Sequence, residues 1–155
     1  MNRLVRLGMA ALLLLTMLSI AQAQERKLKR AQLPAAVEKT VAEQSQGATI
    51  VGFATEVENG RRLYEAELKV NGLGKDILMD KNGNIVEVEA EVPMDSLPSA
   101  VQEGLKKVAG TRTIVKVESL TKNGTLVAYE AVVKAGAKRS EIQVGPNGEK
   151  LAKKQ

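Results

Sequence analysis

The 155-residue chain contains no cysteine, no histidine and no tryptophan, and its aromatic residues are two tyrosines and one phenylalanine. Each absence removes chemistry. Without Cys or His there is no thiol nucleophile, no imidazole acid or base, no Ser-His-Asp triad and no ordinary zinc, haem or iron–sulfur ligation. Carboxylate, lysine and backbone chemistry remain. An exported chain without cysteine is also held together without disulfides, which suits a bacterial periplasm better than a tiny extracellular domain. With 2% aromatics and 44% hydrophobic residues, any core is built from Val, Leu, Ile, Ala and Met.

What is present begins with an export signal. Arg3 and Arg6 precede an apolar run over residues 7–20, and Ala21-Gln22-Ala23 forms a small-x-small cleavage site, which together make a secretory signal peptide. The run of 14 residues falls short of the ~20 that span a bilayer. Residues 1–23 are expected to be removed by cleavage between Ala23 and Gln24, leaving a periplasmic or secreted product with no stable membrane insertion. Loss of Arg3 and Arg6 takes the net charge from +5 to +3. That is too mild for nucleic-acid binding, which also wants stacking aromatics.

After a charged leader, residues 24–32, the chain repeats itself. Leu33-Pro34-Ala35-Ala36-Val37 returns 64 residues later as Leu97-Pro98-Ser99-Ala100-Val101, Thr49-Ile50-Val51 as Thr113-Ile114-Val115, and Asn59-Gly60 as Asn123-Gly124. One extra residue then shifts the offset to 65, at which Tyr64-Glu65-Ala66 matches Tyr129-Glu130-Ala131 and Asn82-Gly83 matches Asn147-Gly148. One supersecondary unit therefore occurs twice, over residues 33–92 and 93–155. In each, a proline opens a short helix with one apolar stripe, Val37 and Val41 or Val101, Leu105 and Val108. Gly47 or Gly110 follows as its stop. Strands come next, over residues 49–57, 62–70, 75–80 and 85–92, and over 113–120, 127–135, 139–144 and a short last one near Leu151. In 62–70 Tyr64, Ala66, Leu68 and Val70 alternate with Leu63, Glu65, Glu67 and Lys69, the period of a sheet with one covered face. Asn-Gly pairs mark the hairpin turns. The expected fold is α+β: two tandem helix-plus-four-strand units, an antiparallel sheet with helices on one face and the other face exposed.

The pattern Leu-Pro-x-Ala-Val on a helix, an Ile-Val strand, Tyr-Glu-Ala on the next strand and a closing turn at Asp80-Lys81-Asn82-Gly83-Asn84-Ile85 resembles the PepSY-like domain. Two such units in an exported chain are similar to the β-lactamase-inhibitor-like, PepSY-like group of secreted bacterial proteins. The resemblance implies a sheet face available for protein or peptide binding, no catalytic residues, and in some members inhibition of a hydrolase. Inhibition of a β-lactamase in particular wants aromatic anchors, and here Tyr64, Tyr129 and Phe53 fall on the apolar faces, where the two cores need them.

Charge is distributed unevenly. Residues 31–92 carry 6 basic and 11 acidic side chains, whereas residues 93–155 carry 11 basic and 6 acidic. Glu65 and Glu67 on one strand, and Glu87, Glu89 and Glu91 on another, lie opposite their apolar neighbours, with Glu130, Lys134 and Arg139 as counterparts in the second unit. These residues form the expected binding surface for a protein or peptide, although the plainer reading of such a face is a solvated one that keeps sheet edges from aggregating. A hydrolase inhibitor and a periplasmic cation-binding or stress protein are the alternatives, and the two oppositely charged halves allow weak self-association. Asp80-Lys81-Asn82-Gly83-Asn84, with Glu91 at the twelfth position, faintly resembles a calcium loop. Its glycine comes at the fourth position rather than the sixth, and a hairpin turn is expected there. No enzyme activity, metal ion or cofactor is expected, because paired catalytic carboxylates need a pocket and a perturbed pKa, and these carboxylates are expected to face water.

Overall fold

The computed structural model describes residues 25–155; the cleavage site at Ala23 and Gln24 lies outside them. The eight strands are β1 (Arg26–Leu28), β2 (Thr49–Glu58), β3 (Arg61–Val70), β4 (Leu73–Met79), β5 (Ile85–Glu91), β6 (Thr113–Lys122), β7 (Thr125–Ala135) and β8 (Lys138–Val144). Helix α1 (Ala35–Gln44) precedes β2, and α2 (Ser99–Ala109) precedes β6. All eight strands pair antiparallel with their sequence neighbours in one sheet, in the order β1 to β8. The two units share that sheet because β5 pairs with β6, from Glu87 opposite Lys122 to Glu91 opposite Glu118.

The expected elements are in place, with two differences. Near Leu151 there is no strand, only an isolated bridge between Val144 and Lys150. The leader, by contrast, contributes β1 and a single 3-10 turn, Arg30–Gln32. Lys27 lies opposite Ala54, and 64 residues on Glu91 lies opposite Glu118, so β1 stands to β2 as the end of β5 stands to β6. A matching 3-10 turn, Met94–Ser96, leads into α2. Three residues reading Arg-Lys-Leu carry no periodic signal, and pairing with β2 alone makes them a strand.

The irregularities of the sheet follow the repeat. Val51 and Val115, 64 residues apart, are each the unpaired residue of a bulge, between Ile50 and Gly52 and between Ile114 and Lys116, and both are exposed. The extra residue of the second unit is absorbed in the same way. Glu56 faces Leu63 and Val57 faces Arg62, whereas Leu120 faces Ala128 and Thr121 faces Leu126, which leaves Val127 over. The turn at Asn59-Gly60 has both residues at positive φ, 49° and 76°, and so has the two-residue loop Asn71-Gly72 between β3 and β4. Asn-Gly is the pair that adopts this conformation at least cost.

Each helix packs on the same face of the sheet and closes its own core. Val37 and Val41 of α1 lie with Phe53, Ala66, Leu68, Ile77 and Met79, and Tyr64 packs partly buried at the edge. Val101, Leu105 and Ala109 of α2 lie with Val117, Ala131, Val133, Ile142 and Val144, beside Tyr129. At about 1.5–3 kcal/mol for each fully buried Val or Leu, these few contacts hold the helices down. The closing turn of each unit docks on its helix by different chemistry at equivalent positions. The Thr40 hydroxyl donates to the Gly83 carbonyl at 2.8 Å. The residue 64 positions later is Gly104, which leaves space for the Gly148 carbonyl to approach the helix directly.

A Cβ at Gly148 would collide with the Ala100 carbonyl at a backbone φ of +80°, whereas Gly60 has the same kind of φ, +76°, and open space. Gly148→Ala is expected to cost about 3 kcal/mol from the clash and the strained φ together, and Gly60→Ala about 1 kcal/mol. Thermal unfolding of the two variants checks the difference.

Candidate functional site

The face of the sheet away from the helices carries one residue in two from every strand. Strand pairing sets them in rows: Ala54, Glu65, Leu78, Glu87 and Lys122; then Gly52, Glu67, Asp76, Glu89, Leu120 and Ala128; then Glu91, Glu118, Glu130 and Gln143. Of the expected surface residues, Glu65, Glu67, Glu87, Glu89 and Glu130 therefore share one face. β3 and β5 are not neighbours, however, and β4 lies between them and contributes Asp76. Lys134 and Arg139 are register partners at the far end of β7 and β8 and do not join the acidic group.

The face is not the solvated surface expected of an alternating strand. Ala54, Leu63, Leu120 and Ala128 are buried there, Glu118 is only 6% exposed, and Glu65, Glu67, Asp76, Glu87, Glu89 and Glu130 are half-buried. A long antiparallel sheet twists and curls, and long side chains on such a face shelter one another.

The sheltered carboxylates divide by whether a cation reaches them. Lys116 Nζ donates to Glu118 Oε1 at 2.7 Å, and Lys122 Nζ lies 2.9 Å from Glu87. Glu130 accepts from the Gln143 amide at 2.7 Å and has Lys154 Nζ at 3.9 Å, and Glu91 accepts the Gly74 N–H at 3.0 Å. Glu65, Glu67, Asp76 and Glu89 have no ion pair among the described residues. Asp76, Glu89 and Glu118 each offer a carboxylate oxygen within 4.8 Å of the others. Next to them a cavity of about 210 Å³ is lined by Glu25, Glu56, Glu65, Asp76, Leu78, Glu87 and Glu89, six acids and no base.

Carboxylates so placed resist ionising. Burial, then the charges of Asp76, Glu25 and Glu67, push Glu65 up to about 7. Burial, then Glu118, Glu130 and Glu87, push Glu89 up to about 7. Asp76 and Glu56 are raised for the same two reasons, and Glu130 is raised by burial against the lowering effect of its bond from Gln143. A cavity and perturbed pKa values are thus present where the strand pattern implied open water. Glu65 and Glu89 are raised together, each by burial first and by neighbouring carboxylates second.

The turn at residues 80–84 is structural. Asp80 Oδ1 accepts the backbone N–H of Asn82 at 2.8 Å and of Asn84 at 3.0 Å, and Oδ2 accepts the Asn84 amide at 2.9 Å. In the second unit the aspartate position is Gly145, and the Glu149 carboxylate fills the vacated space and accepts the Asn147 N–H at 3.0 Å.

Asp76, Glu118, Glu56 and Glu25 were not singled out from the sequence. The alternation of Asp76 and Leu78 with Ile77 and Met79 carried enough signal to put Asp76 on this face. Glu118 and Glu25 join it only through the pairing of β6 with β5 and of β1 with β2.

The family model described as "Putative beta-lactamase-inhibitor-like, PepSY-like" matches twice, over residues 20–87 and 64–149. A BLIP-like protein from Bacteroides fragilis is similar in structure at 22% identity and a TM-score of 0.56, over 77% of this chain and 83% of that one. A DUF2874 family protein from Bacteroides ovatus matches at 19% identity and 0.60, over 77% and 84%. A structure from Bacteroides eggerthii titled "putative periplasmic proteins" matches at 16% and 0.61, over 76% and 84%. These likenesses establish the fold. No curated protein matches in sequence.

A carboxylate whose pKa is higher folded than unfolded binds protons in the native state that the unfolded chain has lost. The penalty of ionising Glu65 and Glu89 is absent below the unfolded value near 4.5 and complete above about 7. Stability is therefore expected to rise as pH falls from 8 to 5. After solvent screening the gain is on the order of 1–2 kcal/mol, or about 5 °C in Tm. Thermal unfolding across this range checks it, and Glu65→Gln with Glu89→Gln is expected to flatten the slope.

Proposed function

The chain belongs to the beta-lactamase-inhibitor-like, PepSY-like family, and from that premise we propose that it is an exported, non-catalytic binding protein whose acidic sheet face receives a positively charged segment of a protein or peptide. The observation that carries this reading is the group of Glu65, Glu67, Asp76 and Glu89, drawn together on three adjacent strands without an ion-paired cation among the described residues. Holding like charges half-buried costs stability. A basic ligand would offset that cost, because attraction between partly desolvated opposite charges is stronger than in bulk water. Lysine and arginine side chains suit the site, since their stems cover apolar surface such as Leu78 while their heads reach carboxylates. A hydrolase that presents a basic loop is one partner of this chemistry, and the inhibitory reading is a special case of it.

The clustering of Asp76, Glu89 and Glu118 within 4.8 Å favours a second reading, a divalent cation bound by hard oxygen ligands. Glu118 is already held by Lys116, so a cation would have to displace that ammonium.

Calorimetric titration with a pentalysine peptide and, separately, with Ca²⁺ discriminates the two. The peptide is expected to bind in about the micromolar range at low ionic strength, to weaken about tenfold or more by 0.3 M salt, and to weaken about fivefold or more in Glu65→Gln/Glu89→Gln. Absence of peptide binding, or binding indifferent to those substitutions, contradicts the proposal. Saturable Ca²⁺ binding lost in Asp76→Asn, without peptide binding, transfers the site to the cation reading.

A further inference from the structure

A group of cations without ion pairs among the described residues lies on the same sheet, at the other edge. The hairpin of β7 and β8 ends in two adjoining register pairs, Lys134 with Arg139 and Ala135 with Lys138. All four residues are exposed, and the three cations have no ion pair among the described residues. Three other lysines of the second unit are engaged: Lys116 with Glu118, Lys122 with Glu87, and Lys154 with Glu130 and Glu141. The turn itself is Gly136-Ala137, so the tip is slim and its bulk is its cationic side chains.

Neither group can satisfy the other within one molecule. Strands lie about 4.8 Å apart, which puts β8 about 14 Å from β5 and about 24 Å from β3 along the sheet. A lysine or arginine side chain reaches only about 6–7 Å, and hydrogen bonding across every intervening strand fixes the separation.

We propose that the acidic face of one molecule takes the β7–β8 hairpin tip of a second copy of this chain, with Lys134 and Arg139, which share one face of the hairpin, set against Glu65, Asp76 and Glu89, and Lys138 adding its charge from the hairpin's other face. The inference rests on the reading of that face as a binding surface and names one partner for it. Arg139 can engage a carboxylate through two parallel N–H···O bonds, and Lys134, its register partner on the same face, can enter the adjoining cavity of about 210 Å³. The contact joins different patches on the two molecules. It leaves one face and one tip free in every dimer, so assembly continues into longer oligomers or closes into a ring. Because the attraction is between charges near the surface, salt dissolves it.

The test is sedimentation velocity of the processed, exported protein from about 20 μM to about 500 μM, at about 20 mM and about 500 mM NaCl. Association that grows with concentration at low salt, and weakens at least about tenfold at high salt, is the expected result. Lys138→Glu/Arg139→Glu, which keeps the acidic face, and Glu65→Gln/Glu89→Gln, which keeps the tip, are each expected to remain monomeric at low salt. Their mixture is expected to form a 1:1 complex, and circular dichroism checks that both variants fold. A wild-type protein that stays monomeric throughout overturns the inference, as does association that survives Lys138→Glu/Arg139→Glu. The pentalysine titration separates this outcome from the broader one. A Lys138→Glu/Arg139→Glu protein that binds the peptide while wild type does not self-associate retires the second copy as partner and leaves the binding face standing. Failure of the peptide with every variant removes both.

Discussion

The pairing of β5 with β6 is the interaction on which the rest of the structure depends. It turns two copies of a helix-and-hairpins unit into one eight-stranded sheet, and it does so between the acidic and the basic half of the chain. Glu87 meets Lys122 across this seam at 2.9 Å, while Glu89 lies opposite Leu120 and Glu91 opposite Glu118. If the two sheets were separate, Glu89 would be an edge residue, with Asp76 one strand in from it. Joined, they are interior to the sheet, with Glu118 and Glu130 beyond them. The half-burial that pushes Glu89 up to about 7, and raises Asp76 with it, owes much to the seam.

Duplication supplied the scaffold and divergence the site. At matching positions the two units have kept their turns, bulges and helix-facing residues and have changed what faces outward. Glu58 in the first unit corresponds to Lys122 in the second, Glu56 to Leu120, Ala54 to Glu118, and Asp80 to Gly145. The replacements at the turn are compensated locally, with Glu149 standing in for the aspartate. On the open face the compensation is partial: Lys122 pairs with Glu87 and Glu118 with Lys116, while Glu65, Glu67, Asp76 and Glu89 have no ion pair among the described residues. The first unit collects negative charge that nothing in the fold requires, and such an arrangement lowers stability. A basic ligand of the kind proposed would offset that cost.

The fold was largely legible in the sequence because its signals are local. Alternation over β3, the Asn-Gly turns and the prolines before each helix act within a few residues, and the internal repeat made each of them appear twice. β1 was not legible, since three charged and apolar residues become a strand only by pairing with β2. The site was legible by half. Strand parity places Glu65, Glu67, Glu87 and Glu89 on one face, but parity says nothing of which strands adjoin, so Asp76 and Glu118 were missed. It grouped Lys134 and Arg139 with carboxylates that lie several strands away. Burial was the least legible property of all, because an alternating polar residue on a flat sheet faces water, whereas on this continuous sheet it faces other carboxylates.

The chemistry of the open face depends on Glu65 and Glu89 being crowded by like charges in a partly desolvated site. Carbon-detected NMR of the side-chain carboxyl groups, followed from pH 3 to pH 9 in the exported protein, measures that crowding residue by residue. Glu65 and Glu89 are expected to titrate at about 7, well above their ordinary value. Titration of both near 4.5, the ordinary glutamate value, would show a solvated face and contradict that crowding.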